Sequence, residues 1–395
     1  MCLLIECWYL PWSAVRFSNL GRNSRQMKRF DQIEGLRGYL ALWVLVGHLI
    51  GYSGITLSRP VALFTGATKA VDVFIILSGF VITHMMIERP EPYLPYITRR
   101  FFRLWPVLVV ACLFGWLTYD LFIDALTKAP GTIGIADLLK NREASIYANP
   151  TVHILAHASM LHGAIPDKFL PGSDGSFVGT AWSTSLEWQF YLLAPAAIWL
   201  ARKPNGSIFL LLICAALMFA YDRGVFGHYY RYSTIVGACG YFLIGITSRL
   251  SIEKPEASWA PKMALAISMM ALLYLNPSPI IVWGIFYTCL VSRRSLKIFD
   301  AIFSNKPARY LGSLSYSIYL VHIIVLGLTM WIITRFSASL TNGQMVVALI
   351  PFIPVSIAIS AIVNVTVEKP GMLLGRKLAQ RLREASSSKE AITPA

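Results

Sequence analysis

Charged residues are scarce in this chain of 395 residues. Asp, Glu, Lys and Arg together make up 14% of it, whereas hydrophobic residues make up 56%. A soluble domain cannot cover that much apolar surface with so few charged side chains. Apolar runs recur along the chain, and each approaches the roughly 20 residues that cross the hydrocarbon core of a bilayer. The composition therefore excludes an ordinary soluble domain and predicts an all-α integral membrane protein.

Acidic residues are fewer than basic ones, 20 against 35, and the net charge is +15. Such a balance also occurs in proteins that bind nucleic acid. Here, however, the Lys and Arg residues lie in short segments between apolar runs, where they orient the spans and attract anionic lipid. We therefore expect membrane lipids as partners and no nucleic acid.

Several motifs of metal and nucleophile chemistry are missing. The six cysteines show no metal-ligand spacing, and there is no Gly-x-Ser-x-Gly elbow and no His-Glu-x-x-His pattern. We predict no metal site and no disulfide framework, and direct attack by an acceptor hydroxyl rather than a covalent enzyme intermediate. The stretch "HILAHASMLH" could supply metal ligands through His153 and His157, but surface histidines in a long loop, together with His162, are the favoured interpretation.

Apolar runs of helical length predict a bundle of about ten transmembrane helices. Most of the 35 Lys and Arg residues fall in the segments on one side of these spans, and that side includes both chain ends. The positive-inside rule then predicts that both termini are cytoplasmic. The predicted spans lie near residues 36–54, 70–88, 104–123, 180–200, 207–221, 233–249, 261–275, 279–292, 310–333 and 345–367.

The chain divides into three predicted segments. Residues 1–28 are expected to be a poorly ordered N-terminal extension or the result of a misassigned start, since Met27 is an alternative first residue. Residues 29–372 form the transmembrane domain. Residues 373–395 form a polar cytoplasmic tail, and its end, "REASSSKEAITPA", is predicted to be disordered.

Two ionisable side chains share one face of the first predicted span. Arg37 and His48 are eleven residues apart, which is a rise of about 16 Å and close to three full turns of an α-helix. Arg37 would lie at the cytoplasmic edge, where its charge can reach water. His48 would lie past the midplane, where it must face protein or water. Taken alone, His48 could equally be a packing histidine.

Three more ionisable residues are predicted at a similar depth, on three other spans: Asp72, Glu187 and His322. Polar groups that converge inside a membrane indicate a functional site. A neutral histidine can take a proton from a hydroxyl while a carboxylate fixes its tautomer. His48 is the predicted base, and the sequence leaves open whether Asp72 or Glu187 is its partner.

An arginine cluster is predicted in the second cytoplasmic loop, within "YITRRFFRLWP". Guanidinium groups one helical turn apart suit a phosphate, although a membrane anchor that binds lipid headgroups is the plainer alternative. Arg100 and Arg103 are the predicted donor-binding pair, and Arg37 could join them. Trp182 is either an interfacial anchor or part of a sugar-sized pocket.

Six segments together resemble the acyltransferase 3 family of integral-membrane O-acyltransferases. The family's Arg-x10-His pair is matched by Arg37 and His48 in "EGLRGYLALWVLVGH". The other matched segments are "DVFIILSGF", where Ile75 replaces the usual second Phe, "RRFFRLWPV", "WSTSLEWQFY", "LGSLSYSIYLVH" and "VEKP", and the resemblance spans about residues 30–370.

The resemblance implies a function. It implies transfer of an acyl group, expected to be acetyl, from acyl-CoA in the cytoplasm to a hydroxyl of a glycan or lipid-linked saccharide. It implies the bacterial inner membrane and no tightly bound cofactor. A proton-coupled transporter and a structural subunit of a glycan-export system are the alternatives. The predicted residues are His48, Asp72, Glu187 and His322 for catalysis, Arg37, Arg100 and Arg103 for the donor, and Trp182, Ser183, Tyr316 and Tyr319 for the substrate.

Overall fold

The computed structural model describes residues 25–58, 61–62, 65–253, 259–292, 297–337 and 339–390. These residues form helices and connecting turns, and none of them lies in a β-strand. The predicted all-α class is therefore confirmed. The helices are α1 Arg25–Tyr52, α2 Ala67–Glu88, α3 Tyr93–Leu117, α4 Tyr119–Lys128, α5 Ile133–Ala148, α6 Pro150–Ala158, α7 Ala181–Ala201, α8 Gly206–Asp222, α9 Ile235–Glu253, α10 Trp259–Leu275, α11 Pro277–Val291, α12 Lys297–Phe303, α13 Lys306–Phe336, α14 Asn342–Leu349, α15 Phe352–Val363 and α16 Lys369–Glu390.

Most predicted apolar runs fall on one of these helices, whereas the run 104–123 crosses from α3 into α4 and the last run covers α14, α15 and the turn that follows. In the described part of the chain, six segments are long and apolar enough to cross a membrane. Three shorter apolar helices, α8, α10 and α11, accompany them. The protein is thus an integral membrane protein, while the number of ten spans stays a prediction. The six segments are Asp31–Tyr52, Ala67–Glu88, Tyr93–Leu117, Ile235–Glu253, Lys306–Phe336 and Asn342–Ala385.

Glycines allow α1 and α13 to approach each other closely. A Cβ added to Gly312 would lie 1.9 Å from the carbonyl oxygen of Glu34, and one added to Gly38 would lie 2.2 Å from that of Ala308. Small residues let helix backbones come together where lipid offers no hydrophobic drive for association. The two helices run in the same direction, so Arg37 meets Ser315 and His48 meets His322 along one seam.

A second close crossing joins α2 to α9. A Cβ on Gly245 would lie 2.0 Å from the carbonyl oxygen of Ile76, and one on Gly79 would lie 2.4 Å from that of Phe242. Gly79 belongs to the "DVFIILSGF" segment, so part of that segment serves helix packing. The crossing fixes α2 beside the site described below.

The predicted long loop 124–179 is largely helical, which corrects the sequence interpretation. We call residues 119–180 the cap; they contain α4, α5, α6 and two short 3-10 turns. The prediction that His153, His157 and His162 are surface residues is wrong, because all three are buried. The cap packs inward, and the rings of His157 and His162 stack with their centroids 4.0 Å apart.

Two further boundaries differ from the prediction. The arginine cluster lies within α3 and not in a loop, because α3 begins at Tyr93. The polar tail continues as helix α16 to Glu390, where disorder was predicted. Residues 1–24 of the predicted N-terminal extension and residues 391–395 of the tail lie outside the described residues.

Candidate active site

Two cavities lie along the α1–α13 seam. We call the first the arginine cavity; it has a volume of about 100 Å³ and is lined by Arg37, Arg100 and Arg103. We call the second the histidine cavity; it has a volume of about 250 Å³ and is lined by His48. Because Arg37 and His48 share one face of their helix, a single cavity is the expectation, but in this structure they line different cavities. Helical rise fixes the depth of a residue, but it does not fix which neighbouring helices close the space between two residues.

Within the described part of the chain, Arg37 is held by a hydroxyl and forms no ion pair with a carboxylate. Its Nε and Nη2 atoms donate to Ser315 Oγ at 3.3 and 3.1 Å. Ser315 belongs to the "LGSLSYSIYLVH" segment on α13. The guanidinium keeps its full charge facing the cavity, which suits an anionic ligand.

Arg103 forms an ion pair with Glu368. Glu368 also accepts from Ser317 Oγ at 2.5 Å and from Asn364 Nδ2 at 2.9 Å. It ends a π-helical turn, Asn364–Glu368, between α15 and α16. Such turns often mark functional sites. The sequence indicated this position only through the resemblance of "VEKP".

Arg100 lies against two aromatic rings. Its Cζ atom is 5.7 Å from the ring centroid of Tyr96 and 5.4 Å from that of Tyr191, and its Nη2 atom donates to Met85 Sδ at 2.7 Å. Cation–π contacts of this kind hold a guanidinium in place without neutralising it. The three arginines therefore line one cavity. This is the arrangement that was predicted for binding a phosphate-bearing ligand.

Glu187 belongs to the arginine cavity. Its carboxylate accepts from the Tyr191 hydroxyl and, at 3.4 Å, from Ser78 Oγ. It makes no hydrogen bond to His48. Three guanidinium groups and the carboxylate of Glu187 line this cavity, and Glu368 lies behind it as the partner of Arg103.

Asp72 lies in neither cavity. It accepts from the Tyr232 hydroxyl and, at 2.7 Å, from Asn276 Nδ2. Asn276 donates in turn to Tyr241 at 2.7 Å and accepts from Lys69 Nζ at 2.5 Å. This network ties α2 to α9 and α11. The predicted dyad of His48 with Asp72 or Glu187 is thus not formed in this structure, because each carboxylate has other partners.

His48 has a second histidine as its neighbour. The ring centroids of His48 and His322 are 5.0 Å apart. His322 Nδ1 lies 2.9 Å from the Ile318 carbonyl oxygen, to which only a protonated nitrogen can donate. His322 Nε2 is buried without a hydrogen-bond partner. His322 therefore offers an unshared lone pair beside His48.

A short layer of side chains separates the two cavities. Tyr319 lines the arginine cavity, and its ring centroid is 6.1 Å from that of His322, which in turn contacts His48. Ser183 and Tyr316 also line the arginine cavity. Trp182 instead packs edge-on against Tyr232, with centroids 5.5 Å apart, and lines neither cavity.

The histidine cavity is also lined by residues that no sequence motif indicates. Two arginines from distant parts of the chain line it, Arg142 on α5 and Arg231 in the segment before α9, together with Tyr52, Tyr119 and Tyr230. The loop sequence "GHYYRYS" is rich in aromatics, but nothing in its local pattern indicates that it closes over His48. Only the fold of the cap brings these residues together.

The seam of α1 and α13 brings ionisable and polar side chains together among apolar, membrane-spanning helices. Residues 30–365 match the sequence profile of the acyltransferase domain family. The chain therefore belongs to this family of transferases, as its resemblance predicted.

One curated relative matches with 25% identity over 346 residues: the peptidoglycan O-acetyltransferase OatA of Listeria monocytogenes. The match covers 78% of this chain and 51% of the relative, so the chain spans about half the length of that protein. No solved structure matches the chain.

Proposed function

We propose that the chain is a membrane O-acyltransferase that moves an acetyl group from acyl-CoA to a hydroxyl of a glycan or lipid-linked saccharide. The observation that carries this proposal is the α1–α13 seam, where Arg37 faces one cavity and His48 faces the next. Family membership favours an enzyme over a transporter or a structural subunit. The printed name of the relative supports acetyl as the group and a glycan as the acceptor.

The donor binds in the arginine cavity. Its phosphates pair with Arg37, Arg100 and Arg103, which line that cavity together. The rise from Arg37 to His48 is about 16 Å, and an extended pantetheine arm can cover it. The arm passes Tyr319, which stands between the two cavities.

The acceptor hydroxyl attacks from the histidine cavity. His48 takes the proton of the hydroxyl as its oxygen attacks the thioester carbonyl carbon. The carbon–sulfur bond breaks, and His48 passes the proton to the CoA thiolate, so that the products are an ester and free CoA. The free Nε2 of His322 lies beside His48 and helps to hold that proton.

Glu187 and Asp72 act as positioning residues in this scheme. Glu187 orients Tyr191 beside the arginines, and Asp72 fastens α2 to Tyr232 and Asn276. Ser183, Tyr316 and Tyr319 contact the acyl arm, and Trp182 supports the wall of the site. No metal or tightly bound cofactor takes part in the scheme.

The proposal also assigns a location. Lys and Arg are concentrated at the Arg37 end of the bundle, which supports a cytoplasmic position for that end and for both termini, with ten spans in a bacterial inner membrane. The cap and the histidine cavity then lie on the far side. This arrangement supports delivery of the acetyl group to a saccharide outside the cytoplasm.

The test is acetyl transfer by the full chain in membranes. Labelled acetyl-CoA is added to membranes that carry saccharide acceptor, and alkali-labile label on the glycan is measured. Removing a general base typically costs 10²–10⁴ in rate, so we expect His48→Gln to lose at least ~100-fold. The matched control is His228→Gln at an exposed histidine, which should keep the wild-type rate. Transfer by His48→Gln within twofold of wild type would contradict the proposal.

A further inference from the structure

The charged side chains that line the histidine cavity are both arginines. Arg142 donates through Nη2 to Asp174 Oδ1 at 2.8 Å, in a buried ion pair. Its Nη1 atom also lies 3.4 Å from the Gly175 carbonyl oxygen. The charge of Arg142 is therefore compensated within the cap.

Arg231 lies close enough to Asp174 to interact with its charge, but Asp174 pairs with Arg142. The Nη1 atom of Arg231 donates to the Gly179 carbonyl oxygen at 3.0 Å, and Arg231 forms no ion pair with any carboxylate among the described residues. Its Cζ atom lies 5.8 Å from the ring centroid of Trp182 and 5.6 Å from that of Tyr230. A half-buried guanidinium held by rings and one carbonyl keeps its positive charge, which is costly unless an anion approaches it.

Tyr230 stands between the two arginines. Arg142 Cζ lies 5.3 Å from its ring centroid, and Arg231 Cζ lies 5.6 Å from the same centroid. The ring is itself largely exposed and lines the cavity. An aromatic face with a fixed guanidinium beside it suits a polar ring that carries a carboxylate or phosphate.

We propose that the histidine cavity selects an acidic sugar, whose carboxylate or phosphate group pairs with Arg231 while a neighbouring hydroxyl faces His48. This inference rests on the proposed function, since it names the class of acceptor for that reaction. The cavity of about 250 Å³ accommodates one sugar unit at a time. Arg231 is the specificity-determining residue, and His48 performs the same proton transfer whichever sugar is present.

The first experiment identifies the acetylated sugar. Surface glycans from cells that carry the wild-type chain are digested, and the alkali-labile acetyl groups are located by mass spectrometry. We expect the acetyl groups on a unit that bears a carboxylate or phosphate, with at least a tenfold loss of label in Arg231→Gln and substantial recovery in Arg231→Lys. Acetyl groups on a neutral unit would overturn the inference.

The second experiment measures binding without the reaction. The thermal unfolding temperature of the full chain in detergent is measured with glucuronate and with glucose, in the absence of acyl-CoA. We expect glucuronate to raise the unfolding temperature more than glucose in the wild type, and this difference to vanish in Arg231→Gln. The matched control is Arg223→Gln, which removes an exposed arginine of the same loop that packs on Phe219 at 4.6 Å. Equal effects of the two sugars on the wild type would overturn the inference.

The two experiments separate the inference from the proposed function. An Arg231-dependent response to glucuronate without any acetyl transfer would support the acidic-sugar site and contradict the acyltransferase reaction assigned to it. Acetyl transfer to a neutral sugar would support the reaction and reject the site.

Discussion

Two carboxylates of similar predicted depth have different roles because they have different partners. Asp72 accepts hydrogen bonds from Tyr232 and Asn276 and lines neither cavity, whereas Glu187 faces the arginine cavity with Tyr191. The sequence could place both residues along their helices, since the helical rise is fixed. It could not choose their partners, because those come from other helices.

At the residue scale, substitution of Arg103 tests whether its buried ion pair with Glu368 stabilises the fold. Glu368 has a side-chain exposure of 0%, so Arg103→Ala leaves a buried charge unpaired, which costs roughly 3–5 kcal/mol of unfolding free energy. Adding Glu368→Gln removes that charge, and we expect the double variant to regain more than half of the loss. Thermal unfolding in detergent measures both variants.

The control for this cycle is Arg99→Ala, on the same helix. Arg99 pairs with Glu91, whose side chain is 5% exposed, but Glu91 keeps a second partner in Arg383 Nη2 at 2.8 Å when Arg99 is removed. We expect only a small loss of stability. A double variant at Arg103 and Glu368 that is no more stable than Arg103→Ala would contradict the ion-pair account.

At the scale of single elements, apolar runs predicted the helices well because burial in lipid requires continuous apolar surface. The cap was missed because α4, α5 and α6 are short and mix polar with apolar residues. The burial of its histidines could not be predicted, since a histidine in a segment of mixed polarity is equally compatible with a buried and an exposed position. The glycines of the α1–α13 crossing were visible in the sequence, but their partners were not.

Gly312 tests whether the α1–α13 crossing holds the site together. A methyl group there meets the Glu34 carbonyl oxygen at 1.9 Å, so Gly312→Ala must push the helices apart. This separates Arg37 from Ser315 and His48 from His322. We expect acetyl transfer to fall by at least ~10-fold, on the scale of a misplaced catalytic group. The control is Gly343→Ala, where the added methyl group meets open space; equal activities of the two variants would argue against the seam.

The stacked histidines predict how the cap responds to acid. Burial lowers the pKa of His162 to about 4, and burial together with the neighbouring His162 charge lowers the pKa of His157 well below its usual range. The unfolded chain therefore binds more protons than the folded chain between about pH 6.5 and pH 4. Stability should fall as the pH falls through this window, by about 2 kcal/mol at pH 5 for His162 alone.

This prediction is checked by measuring the thermal unfolding temperature between pH 7 and pH 5. We expect a shallower decline for His162→Gln than for the wild type, because one source of extra proton binding is gone. The exposed His228 provides the control, and His228→Gln should follow the wild-type curve. If the unfolding temperature of His162→Gln fell with pH as steeply as that of the wild type, the acid sensitivity would not come from the buried histidine pair.

At the scale of the whole molecule, the fold divides the site that the sequence suggested into two cavities. The family resemblance and the order of its motifs predicted the enzyme class, because residues from five of the six motifs line the arginine cavity. The wall of Tyr319, His322 and His48 could not be predicted, since it depends on side chains from two helices. The two arginines of the histidine cavity, Arg142 in the cap and Arg231 in the segment before α9, could not be predicted either.

The central claim is that the acetyl group enters past Arg37 and leaves beside His48. The most direct measurement uses sealed vesicles of one orientation, with labelled acetyl-CoA on the Arg37 side and saccharide acceptor on the cap side. The account predicts label on the acceptor for the wild type, and at least ~100-fold less for His48→Gln. Labelling that does not require acetyl-CoA on the Arg37 side, or that persists undiminished in His48→Gln, would contradict it.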